Sequence, residues 1–68
     1  MNDTYIVMHP VWRTDNTATG YSVLKRRVDR QAECIAEAQT REGALAVLPA
    51  GAVLQGEAFG LEFWEAPR

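Results

Sequence analysis

Short runs of alternating apolar and polar residues occupy most of this chain, and one stretch changes to helical spacing. Thr4 to Met8 (TYIVM) is rich in aromatic and β-branched residues and is stopped by Pro10, which predicts a first strand. Arg13 to Gly20 (RTDNTATG) has no apolar period and collects the residue types of loops. Tyr21 to Val28 (YSVLKRRV) returns to strand-like composition directly after a glycine. The two runs predict an antiparallel hairpin with a long tip.

Asp29 to Gln39 (DRQAECIAEAQ) admits two readings. Its Ala, Glu and Gln favour a helix capped by Asp29 and running to Leu48. The alternative starts the helix at Thr40, a good N-cap, with Glu42 in the first turn near the positive end of the helix dipole. Glu33 to Gln39 is then a third strand, with Cys34, Ala36 and Ala38 on one face and Ile35 on the other. We prefer this second reading. Pro49 cannot continue helical hydrogen bonding and Gly51 accepts a left-handed backbone, so the helix should end there. Leu45 and Leu48 share its apolar face with Ala44. Ala52 to Ala58 and Leu61 to Glu65 predict two short strands about Phe59 and Gly60. In the last strand Leu61 and Phe63 are expected to face the core, with Glu62 and Trp64 on the other side. The expected fold is one α+β domain over residues 1–68: an antiparallel sheet of three to five strands with one helix packed on one face, in the order β-β-β-α-β.

The first strand with its TYIVMHP sequence, a second strand opening with Gly20-Tyr21, and the helix start TREGALAVL together resemble the small antitoxins of the HicB type. Thr40, Arg41, Glu42, Ala44 and Leu45 match the Thr-Arg-Glu-Glu-Ala-Leu-like helix start of that family, and Gly43 stands where the family carries glutamate. The resemblance covers residues 4–48. It implies a β-β-β-α-β domain acting as an inhibitor of a partner protein.

Length adds a constraint. A chain of 68 residues hides only about 60% of the surface its unfolded form exposes, so its stability is marginal and needs support. The single Cys34 closes no intrachain disulfide, and with the single His9 it leaves too few soft ligands for structural zinc. Self-association is the remaining route, and a homodimer is expected. The apolar run near the start follows no basic segment and precedes no small-residue cleavage site, and Gly43 to Leu54 is broken by Pro49 and Gly51. These features and the unpaired cysteine suggest a reducing cytoplasm and no membrane partner.

Catalytic chemistry finds little purchase. A thiolate at Cys34 would need a base such as His9 beside it, but a cysteine among Ala, Ile and Ala reads as a small apolar residue. The carboxylates are numerous yet nothing pairs two across a pocket, and no phosphate loop, zinc motif or nucleophile elbow occurs. We therefore assign no catalytic, metal or cofactor residue, and expect a non-enzyme without a cofactor. Net charge is −2, but Lys25, Arg26, Arg27, Arg30 and Arg41 hold five of the seven cations, while Glu57, Glu62 and Glu65 make the tail acidic. Lys25, Arg26, Arg27 and Arg30, with Tyr21 to stack on a base, define a nucleic-acid-binding alternative. A charged edge strand that prevents aggregation accounts for the same run. Aromatic residues dominate contact hot spots, and Trp64 and Trp12 are the expected protein-binding anchors. The leading expectation is a small protein-interaction or regulatory module that docks through a sheet face or edge.

Overall fold

The computed structural model describes residues 2–9 and 20–67. Five strands and one short helix follow in the order β1 (Asn2–Met8), β2 (Tyr21–Lys25), β3 (Glu33–Ala38), α1 (Arg41–Leu45), β4 (Val53–Ala58) and β5 (Leu61–Pro67). The strands form one antiparallel sheet in the spatial order β3-β2-β1-β5-β4, which places β1 at the centre. The expected hairpin of β1 and β2 is present, and Asp29 to Gln39 contains a strand instead of continuing one long helix. Its expected tip and Trp12 lie outside the described residues.

Thr40 caps α1 as its side chain suggests: it is extended, and its Oγ1 accepts a hydrogen bond from the Gly43 N–H at 3.0 Å. The helix is shorter than the run of helix formers. The ring of Pro49 is incompatible with a helical carbonyl at Leu45, and proline also disfavours helical geometry at Leu48. The chain therefore tightens, with Val47 and Leu48 donating to Ala44 and Leu45, three residues back. Gly51 then turns left-handed at φ 86°. Phe59 and Gly60, at φ 52° and 77°, form the two-residue turn between β4 and β5, a geometry suited to the right-handed twist of a hairpin.

Alternation divides the sheet into two faces. On one, Val7, Val23 and Ala44 are fully buried together, with Tyr21, Ala36, Ala38, Leu45, Leu48 and Trp64 packed around them. The register sets Val7 beside Val23 and Glu62, and Tyr5 beside Lys25 and Trp64, so all of these residues share that face. Two expectations are corrected by this register. Glu62 and Trp64 occupy the Val7 face, whereas Leu61 and Phe63 point to the opposite one, because Glu62 finds hydrogen-bond donors inside. Cys34 leaves Ala36 and Ala38 and pairs with Leu24, because a bulge inserts one residue between the Val23–Ala36 and Leu24–Cys34 pairs. Cys34 is exposed on an edge strand, contrary to the buried position expected.

Replacing Thr40 with alanine removes the acceptor for the Gly43 N–H. Thr40→Ala is expected to lower unfolding free energy by about 1 kcal/mol in urea titration while leaving the β-sheet circular dichroism unchanged.

Candidate functional site

The most concentrated chemistry lies around Glu62, whose side chain is completely buried on the Val7 face. The first residue of α1 reaches it: Arg41 Nε donates to Oε2 and Nη2 to Oε1, both at 2.8 Å. This is the side-by-side geometry that a guanidinium offers a carboxylate. His9, just past β1, approaches Oε2 through Nε2 at 2.6 Å, and Trp64 Nε1 donates to Oε1 at 3.1 Å. The His9 backbone N–H donates to the Gly60 carbonyl, and the His9 ring stands edge-on to Tyr21 with centroids 5.2 Å apart. Three chain segments therefore converge on one carboxylate.

These donors determine what the group can do. The Arg41 bonds hold the Glu62 carboxyl down at about 2 against the opposing effect of burial, with His9 and Trp64 adding to the depression. An ionised acceptor assigns the proton on His9 Nε2 to the shared bond. Each oxygen of Glu62 already accepts two hydrogen bonds, so neither is poised to take a proton from a substrate, and a group titrating near 2 is a weak base. The geometry is that of a clamp joining β1, α1 and β5. Cys34 and His9 lie on opposite faces of the sheet and form no nucleophile–base pair. Among the described residues no three His, Cys, Asp or Glu side chains converge to hold a metal ion.

The basic run is spread out and largely neutralised. Lys25 lies 3.7 Å from Asp3 and 5.9 Å from the centre of the Tyr5 ring. Arg27 Nε donates to Glu33 at 3.0 Å, which draws the Glu33 carboxyl below its usual value, and Arg30 lies 4.0 Å from Asp29. Arg26 is exposed and has no carboxylate at ion-pair distance among the described residues. Tyr21 is four residues before Lys25, about 13 Å along the strand, and packs toward His9 instead of toward the cations. A shallow cleft of about 280 Å³ between Asn2–Thr4 and Arg26–Val28 is at the small limit for a ligand site. Trp64 is half-buried against the Val7 cluster and tied to Glu62, while Trp12 lies outside the described residues.

The opposite face is the larger feature, and alternation missed it because the phase of β5 was inverted. The register aligns Cys34, Leu24, Ile6, Phe63 and Gly56 in one row across all five strands. Met8, Leu61 and Ala58 extend the apolar surface in the next row. Ile6, Met8, Leu24, Leu61 and Phe63 are each only partly buried, and α1 lies with Val7 and Val23 on the other side. A side-chain carbon built at Gly56 would meet no atom within 4 Å, so the position paired with Phe63 is open. No helix among the described residues is long and apolar enough to cross a membrane.

Since the folded Glu62 carboxyl lies below its ordinary value, its stabilising effect is complete above about pH 5 and is lost as pH falls toward about 2. The shift corresponds to roughly 3 kcal/mol at neutral pH. Glu62→Gln should be less stable at pH 7, and its unfolding free energy should fall less steeply between pH 5 and 2, as measured by urea titration across that range.

No protein-family model, curated protein or solved structure matches this chain.

Proposed function

We propose that this protein is a small non-enzymatic interaction module, with α1 packed over the β2–β3 half of the sheet as a second layer and the Ile6 face docking onto another polypeptide. The observation that carries this reading is the unbroken apolar row Leu24–Ile6–Phe63, continued by Met8 and Leu61, on a face where no described helix packs. Apolar patches of this kind mark contact surfaces, and the aromatic ring of Phe63, with only Gly56 beside it on β4, supplies an anchor. The Glu62 clamp supports the same reading, because a fully hydrogen-bonded carboxylate serves rigidity better than proton transfer. An inhibitor of the kind implied by the resemblance to HicB-type antitoxins would act through such a surface. Nucleic-acid binding has less support, since carboxylates accompany Lys25, Arg27 and Arg30.

Phe63→Thr keeps a β-branched residue in the strand and removes the anchor. At submicromolar protein concentration this variant should retain its sheet circular dichroism and bind less anilinonaphthalene sulfonate than the unmodified chain. Unfolding of Phe63→Thr at 25 °C would identify the face as interior and overturn the reading.

A further inference from the structure

The charges bordering the Ile6 face carry an inference that rests on the docking reading and names the partner. Lys25 pairs with Tyr5, and the Arg26 N–H donates to the Thr4 carbonyl at 2.9 Å, continuing the ladder by one residue. Thr4 is in turn paired with Glu65, and Glu65 with Val53. Arg26, Thr4, Glu65 and Val53 thus make a third row on the Ile6 face, beside the apolar row. In that row the cation is on β2 and the anion on β5, one strand to either side of the central β1.

We propose that the Ile6 face binds a second copy of this chain, through a two-fold axis running along β1. Such an axis exchanges β2 with β5 and keeps every row in place. It sets Arg26 of each copy over Glu65 of the other, twice, and Leu24 over Phe63, twice. Ile6 and Met8 meet their own counterparts on the axis, Cys34 faces Gly56, and Glu37 on the outer strand faces Ala58 at the rim. The alternative two-fold across the strands puts Glu65 over Leu61, and Arg26 over Ser22 beside Glu37, so it never brings Arg26 against Glu65. Of the two, only the β1 axis sets Arg26 against Glu65.

Packed sheets stand about 10 Å apart and twist about 30° relative to each other, an offset that the long Arg26 side chain can span. Five strands by six residues give a footprint of about 24 Å by about 20 Å, or about 1,000 Å² counted over both copies. That is the lower limit for a specific interface.

Two single variants provide an intermolecular test. In Arg26→Glu, both cross-copy pairs become Glu against Glu, and in Glu65→Arg both become Arg against Arg. Sedimentation equilibrium should show a dimer for the unmodified chain and at least tenfold weaker association for either variant alone, with circular dichroism unchanged. An equimolar mixture of the two variants should regain a dimer, because the heterodimer restores both opposite-charge pairs. A monomeric unmodified chain at several hundred micromolar would overturn the proposal, as would a dimer indifferent to both variants or a mixture that fails to associate. None of these results bears on the response of Phe63→Thr to the apolar dye, so the dimer can fail while the docking face stands.

Discussion

Glu62 is the residue on which the arrangement of the sheet depends. A carboxylate taken wholly out of water is costly unless its oxygens are filled, and here Arg41, His9 and Trp64 fill all of them. Those partners come from the end of β1, the start of α1 and β5 itself, so the clamp forms only when these elements are correctly registered. Buried ion pairs add less stability than their geometry suggests, but removing one partner leaves an unpaired buried charge. The clamp thereby penalises any one-residue slip of β5, which would turn Glu62 out and Phe63 in.

That choice of phase also creates the apolar Ile6 face. With Glu62, Trp64 and Ala66 facing Val7, residues Leu61, Phe63 and Glu65 must face the other way. A polar residue held inside thus forces a row of apolar residues to remain on the outer face. Among the described residues the one helix, α1, has five residues and packs on the Val7 face alone. The buried clamp and the partly exposed apolar row are two consequences of one register.

Much of the fold was legible because local chemistry decided it. The β-branched and aromatic runs marked the strands, Thr40 fixed the start of α1, and Pro49 with Gly51 bounded its end. The phase of β5 was not legible, since a glutamate between Leu61 and Phe63 is placed outside by default, and its partners Arg41 and His9 lie 21 and 53 residues away. The face of Cys34 was hidden by a bulge that strict alternation cannot anticipate. For the basic run, residue types were visible but pairings were not: the partners Asp3 and Glu33 reach Lys25 and Arg27 only once the strands are assembled.

The two sheet edges carry features that oppose pairing with another chain. β3 presents Glu33 and Glu37 and carries a bulge, and β4 carries Glu57 and a second bulge where its register shifts between Leu54 and Gly56. Bulges and charged side chains are the devices by which edge strands resist pairing with another chain. An added strand would have to match a distorted ladder on either edge. The Ile6 face has no comparable obstacle along its central row, which is uncharged from Cys34 to Gly56, and Arg26 and Glu65 border that row on either side of β1 with opposite sign. Recognition of the kind proposed for this face would therefore use no backbone group left open at the edges.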